Sequence, residues 1–148
     1  MNRINLTNLE LKTFTEQDAL DYCLLNNINP DDIIIIYLNN NELTDISRIK
    51  LFKNIKDLHI DNNELTDISG IKFLDNLGFL SLNNNKITDI SVLQYLNNLK
   101  YLFLDNLELD SNQINYINNL KNLKCLSIEN GFKDISILNQ LNKNIKII

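Results

Sequence analysis

The only histidine in the chain, His59, has Asp57 and Asp61 two residues to either side, with Ser81 further along. An imidazole among carboxylates with a hydroxyl nearby is the raw material of a Ser-His-Asp nucleophilic site or of an Asp-His-Asp metal site. If the segment is extended, alternation puts residues 57, 59 and 61 on one face. The same geometry argues against both chemistries. Same-face residues along a strand lie about 6.6 Å apart, awkward for sharing one cation, and an open strand face offers no oxyanion hole or water-excluding pocket. His59 therefore reads as a recognition residue, biased toward protonation by its acidic neighbours. The two cysteines, Cys23 and Cys125, form no ligand-spaced motif, so neither a zinc site nor a disulfide framework is expected. Free thiols fit a reducing cytoplasm, and no metal, cofactor or catalytic activity is expected.

The element that carries these residues is a repeat. Asn41-Glu42-Leu43-Thr44-Asp45-Ile46-Ser47, Asn63-Glu64-Leu65-Thr66-Asp67-Ile68-Ser69 and Asn85-Lys86-Ile87-Thr88-Asp89-Ile90-Ser91 recur about every 22 residues. They extend to a common frame: Ile33-x-x-Ile36-x-Leu38-x-x-Asn41-x-Leu43, then the same from Ile55 and from Leu77. A fourth unit opens at Leu99, Leu102 and Leu104, a fifth at Leu123, Leu126 and Ile128, and Ile145 to Ile148 begins a sixth strand. A unit this short holds one strand and one return, so it cannot close a core alone and must stack on its neighbours. Function then belongs to a shared surface.

The pattern L-x-x-L-x-L-x-x-N-x-L resembles the leucine-rich repeat family. The block N-x-[LI]-T-D-I-S followed by spaced Leu or Ile is similar to its internalin-like and phosphatase-regulator group. The resemblance runs from Asp32 to the C-terminus. It implies an α/β solenoid with a parallel sheet on the concave face, short helical or 3-10 returns on the convex face, and an asparagine ladder, assigned here to Asn41, Asn63, Asn85 and Asn130. It also implies protein binding, with phosphatase regulation as one version that no framework residue supports by itself. Two units depart from the pattern. Leu107 replaces Asn in the fourth, where Asp110-Ser111-Asn112-Gln113 lengthens the return and predicts a bulge. The fifth, Asn130-Gly131-Phe132-Lys133-Asp134-Ile135-Ser136, loses one residue, and Gly131 is expected to take positive φ there. Ser47, Ser69, Ser91 and Ser136 suit the N-caps of the returns.

One domain is expected, divided into an N-terminal cap over residues 1–32, with a helix at about 15–26, and an array of about five repeats plus a final strand over 33–148. Thr15-Glu16-Gln17-Asp18 starts the helix, Leu20, Cys23 and Leu24 form its apolar stripe, and Asn29-Pro30 turns the chain into the first strand. Ile4, Leu6, Leu9, Leu11 and Phe14 alternate imperfectly and suit an extended lead-in strand. Heavy use of Asn, Ile and Lys suggests an AT-rich coding genome. A net charge of -5 and a pI near 4.8 argue against a phosphate-backbone partner and favour a protein with a basic or mixed surface. No apolar stretch approaches the ~20 residues of a membrane span, and the first residues are too polar for a signal peptide, which points to the cytoplasm. Asn144 to Ile148 reads as an unpaired apolar edge that would self-associate or dock on a partner.

Residues that vary between units on the open strand face are the candidate site. One row reads Ile35, Asp57, Phe79, Tyr101, Cys125; the next reads Tyr37, His59, Ser81, Phe103, Ser127; a third reads Asn39, Asp61, Asn83, Asp105, Glu129. Phe79, Tyr101 and Phe103 make an aromatic patch, with Tyr37 on the far side of His59 and Asp61, Asp105 and Glu129 as an acidic margin. Rings with a polar rim are the composition of a protein-binding hot spot, so Tyr37, Asp57, His59, Asp61, Phe79, Ser81, Tyr101, Phe103, Asp105 and Glu129 are the expected contact residues. The alternative reading is a structural or assembly component that uses its C-terminal edge.

Overall fold

A computed structural model describes residues 2–148. The repeats lie side by side as one parallel sheet of seven short strands in chain order. These are β1 (Arg3–Asn5), β2 (Ile35–Tyr37), β3 (Asp57–His59), β4 (Phe79–Ser81), β5 (Tyr101–Phe103), β6 (Cys125–Ser127) and β7 (Lys146–Ile147). Only the middle residue of each three-residue strand points inward. Ile4, Ile36, Leu58, Leu80, Leu102 and Leu126 thereby form one fully buried row, and Leu38, Ile60, Leu82 and Leu104 form another behind it. The returns are 3-10 turns at Ser47–Leu51, Ser69–Phe73, Ser91–Tyr95 and Ile135–Gln140. Each buries its third residue, Ile49, Ile71, Leu93 and Ile137, so the core is a column of aliphatic side chains between sheet and returns.

The returns begin differently from expectation. Ser47, Ser69 and Ser91 stand just inside their turns, and the acceptors are the aspartates two residues earlier. Asp45, Asp67 and Asp89 each take the backbone N–H of the following serine at 2.6–2.7 Å, as Asp134 does for Ser136 at 2.9 Å. A carboxylate accepts more strongly than a hydroxyl and reaches the amide two residues on. In the fourth unit the extra residues form a 3-10 turn at Ser111–Gln113 that runs into helix α2 (Ile114–Asn118). The buried Gln113 reaches back across the unit boundary to accept the Ile90 N–H at 2.9 Å.

Helix α1 (Glu16–Leu25) starts with a reciprocal cap: the Thr15 hydroxyl accepts from the Asp18 N–H at 3.1 Å, and the Asp18 carboxylate accepts from the Thr15 N–H at 2.8 Å. Its buried stripe is Ala19 and Cys23, not Leu20, Cys23 and Leu24. Leu20 is 41% exposed and Leu24 80%, because the small side chains at i and i+4 let the helix lie close while the leucines fall one position round.

Ahead of α1 lies a unit the repeat pattern conceals. β1 pairs with β2 through Arg3↔Ile35, Ile4↔Ile36 and Asn5↔Tyr37, and Asn8 takes the left-handed backbone of its counterpart Asn40. Leu9 occupies the position of the repeat asparagine and is 53% exposed.

The buried amides of Asn41, Asn63 and Asn85 join the units. Asn41 Oδ1 accepts from Leu9 N and Leu11 N at 3.0 and 3.1 Å, and its Nδ2 donates to Leu6 O and Leu38 O. Asn63 accepts from Leu43 N at 3.0 Å and donates to Leu38 O and Ile60 O, and Asn85 accepts from Leu65 N at 3.1 Å and donates to Ile60 O and Leu82 O. Asn130 does not belong to this row. It is exposed, with φ 50, and donates to Asn106 Oδ1 at 3.2 Å, so it completes the neighbouring row Asn40, Asn62, Asn84, Asn106. All five of these residues have positive φ, and each amide from Asn62 onward donates to the one before it. The position equivalent to Asn85 in the fifth unit is Gly131, whose φ is not positive. Its missing side chain answers to packing: a Cβ there would lie 2.6 Å from the Ile128 side chain and 2.8 Å from Leu104 O.

A further row, Asn54, Asn76, Asn98 and Asn122, ties the approach to each strand, donating to Asp31 O, Lys53 O, Asp75 O and Asn97 O. Asparagine thus recurs here because its amide can donate and accept across a one-unit step, which accounts chemically for a composition that coding bias would leave without a role.

Candidate functional site

The open face of the sheet carries the candidate residues, one strand apart in register. Asp57↔Phe79↔Tyr101 and His59↔Ser81↔Phe103 are direct lateral neighbours. Side chains leaving adjacent parallel strands about 4.8 Å apart must pack or diverge, and here four rings pack in a run, Tyr37 stacked on His59 and the later pairs tilted by 31° and 35°. Tyr37 and His59 lie ring to ring at 4.6 Å, His59 and Phe79 at 4.5 Å, and Phe79 and Phe103 at 5.1 Å. Phe79 starts in the outer row, yet its ring fills the gap above Ser81 between His59 and Phe103. Tyr101 stands beside it at 6.4 Å between ring centroids and is 41% exposed.

Covering Ser81 this way leaves it only 4% exposed. Its hydroxyl donates to Asp61, so Ser81 is withdrawn from the surface and its hydroxyl is committed to a carboxylate, a correction to its place among the contact residues. His59, sandwiched between rings, has its pKa pushed below the usual histidine value: burial disfavours the imidazolium more than Asp61 and Asp57 favour it. The expected bias toward protonation is thereby reversed.

The third row also has an internal purpose that its residue types did not announce. Asn39 accepts from Asp61 N at 2.8 Å, Asp61 from Asn83 N at 2.9 Å, Asn83 from Asp105 N at 2.7 Å, and Asp105 from Glu129 N at 2.8 Å. Each side chain extends the sheet's hydrogen bonding one step beyond the strand. Asp105 further accepts from Ser127 Oγ. The acidic margin is therefore partly structural, with Glu129 exposed at its end.

At the opposite, N-terminal ends of the strands lies a feature missed in the sequence: Lys56, Lys100 and Lys124 share one exposed row. Alignment of the units held that signal, since these positions immediately precede Asp57, Tyr101 and Cys125. A cavity of about 720 Å³ opens there, lined by Lys56, Asp57, His59, Asn76, Gly78, Phe79, Asn98, Lys100 and Tyr101. Among the described residues no cluster of His, Cys, Asp or Glu is placed to hold a metal ion, and no helix is long and apolar enough to cross a membrane.

No protein-family model matches the sequence, and no curated relative matches it. Solved structures do. An internalin from Listeria monocytogenes is 31% identical, over 79% of this chain and 34% of its own, with a TM-score of 0.71. A leucine-rich repeat protein of Leptospira interrogans is 23% identical, over 99% of this chain and 36% of its own, with a TM-score of 0.77. An internalin C2 from Listeria monocytogenes is 23% identical, over 99% of this chain and 73% of its own, with a TM-score of 0.62. The chain spans about a third of the length of the first two, and the two at 23% speak to fold alone. The recurring aliphatic frame, the seven-stranded parallel sheet with its 3-10 returns and these likenesses agree: the chain is a leucine-rich repeat protein.

Proposed function

We propose that this chain is a non-catalytic module that grips a partner protein on its concave sheet face, as an adaptor or regulator. The observation that carries this is the unbroken run of rings Tyr37, His59, Phe79 and Phe103 across four adjacent strands, with Tyr101 exposed at its flank. Aromatic surface on an open face gains most from being covered, and rings supply large contact area at low entropic cost. The arrangement supports binding over catalysis because the candidate nucleophile Ser81 is buried and bonded to Asp61, while the imidazole is packed between rings. Free thiols at Cys23 and Cys125 support a reducing compartment such as the cytoplasm.

The test is capture of partner by the wild-type chain and by a folded Phe79→Ala/Phe103→Ala variant in parallel, followed by titration of whatever the first retains. Loss of a central ring is expected to cost about 2 kcal/mol or more of affinity, with thermal melts showing that the variant is folded. Equal affinity in the folded variant would move the site off this face. Glu129→Lys, at an exposed position, is expected to alter association rate and its salt dependence. Asp61 and Asp105 suit that purpose less, since reversing them removes framework hydrogen bonds.

A further inference from the structure

Gly78 occupies the row position held by Lys56, Lys100 and Lys124 in the flanking units. The other two glycines are required by packing. A Cβ on Gly70 would lie 2.9 Å from Ser47 Cα, and one on Gly131 would lie 2.6 Å from Ile128. Gly78 is under no such constraint: a Cβ there would meet nothing nearer than Lys56 O at 3.7 Å and Asn98 O at 4.0 Å, and its φ is not positive. The fold tolerates a side chain at this position, so the gap is a surface feature.

What the gap produces is the cavity between Lys56 and Lys100. Its remaining walls are the rings of Phe79, Tyr101 and His59 and the carboxylate of Asp57, with Asn76 and Asn98 at the rim. The amides of Asn76 and Asn98 donate to Lys53 O and Asp75 O, which holds that rim in place. Two lysines and a single aspartate line it, together with the aromatic residues Phe79 and Tyr101.

We propose that this notch seats an acidic side chain, Asp or Glu, of the partner protein, with the residue after it apolar and lying on Phe79 and Tyr101. The carboxylate sits between Lys56 and Lys100 in the space Gly78 leaves open, away from Asp57. The proposal rests on the concave-face reading and adds the chemistry of the contact. Exposed ion pairs contribute modestly, so discrimination between an acid and its amide is expected to be roughly fivefold and to weaken with salt. The apolar neighbour supplies the rest.

The experiment uses the full chain, labelled with ¹⁵N, titrated with the capped peptides acetyl-Ala-Glu-Phe-amide and acetyl-Ala-Gln-Phe-amide. Expected are saturable shifts of the Gly78, Asn76 and Asn98 backbone amides. The glutamate peptide should bind roughly fivefold tighter at low salt, and the difference should vanish when salt is raised. Gly78→Leu, which fills the notch, should melt like wild type and lose the shifts, and Lys100→Gln should erode the preference for the acid. Equal affinity for both peptides, no saturable shift at millimolar peptide, or undiminished binding by folded Gly78→Leu would overturn the proposal. With a captured partner the two readings separate. Binding lost in Phe79→Ala/Phe103→Ala but kept in Gly78→Leu rejects the notch alone, whereas binding kept in both rejects the concave face.

Discussion

His59 shows how a single residue's chemistry is set by its surroundings. Packed between Tyr37 and Phe79, its imidazolium is penalised by burial more than Asp61 and Asp57 stabilise it, and its folded pKa falls below the ordinary value of 6.5. A lowered pKa means that the unfolded chain takes up the proton first. The contribution is absent well above pH 6.5, and stability is lost as pH drops below it. An NMR titration of the His59 ring protons should give a lower midpoint in the folded chain than in urea, and His59→Gln should flatten the fall in denaturant midpoint on acidification; a higher folded midpoint would reverse the assignment. Two adjacent asparagines make a second residue-scale comparison. Asn63→Ala should cost about 1–3 kcal/mol, because it orphans the Leu43 N–H in the interior and removes one of the two amide donors to each of the carbonyls of Leu38 and Ile60. Asn62 is exposed yet has φ 56, so Asn62→Ala should cost about 1–2 kcal/mol through left-handed strain. Asn62→Gly should recover most of that in urea denaturation, and equal losses for Ala and Gly would place the cost in its amide bonds to Asn40 and Asn84 instead.

At the scale of elements, the strands supply few hydrogen bonds of their own, since each is three residues or shorter. Side chains continue the ladder beyond them. The row Asn39, Asp61, Asn83, Asp105 carries it on the sheet face, Asn41, Asn63 and Asn85 carry it in the core, and Asn54, Asn76, Asn98 and Asn122 carry it on the approach. The turn after β6 adapts to a lost residue by different means, drawing the backbone so close to Ile128 and Leu104 O that only glycine fits at position 131. Gly131→Ala should therefore destabilise by about 1–3 kcal/mol, as overpacking does. Gly78→Ala, with open space around it, should leave stability unchanged or raise it by about 0.4–1 kcal/mol through the unfolded state. Thermal melts of the pair decide the matter, and similar losses in both would mean that Gly78 is a packing glycine and that its notch is incidental.

Across the whole molecule, each unit contacts chiefly its neighbours, so stability should be graded along the array. Amide hydrogen exchange should be slowest in β3, β4 and β5, which have at least two strands on either side, and fastest in β7, where Ile147 is 48% exposed. Uniform protection would mean that the array opens only as one cooperative body. The stacking that produces this gradient also divides what sequence could determine from what it could not. Periodicity sufficed for the repeat frame, the parallel sheet and the outward rows, because one inward residue per strand imposes a spacing that survives in the linear order. Spacing did not suffice where a unit lacks its marker. Leu9 stands for asparagine in the first unit, and Asn130 sits one position ahead of the true ladder site at Gly131, so both were misread from residue type. Contacts between units were beyond the linear pattern altogether. That Phe79 leans over Ser81 to join His59 with Phe103, that Asp61 is bonded into the framework, and that Gly78 leaves a notch between Lys56 and Lys100 all depend on lateral stacking of residues about 22 apart in sequence and one strand apart in space. A repeat determines which residues share a row; only the stacked strands decide which of them touch.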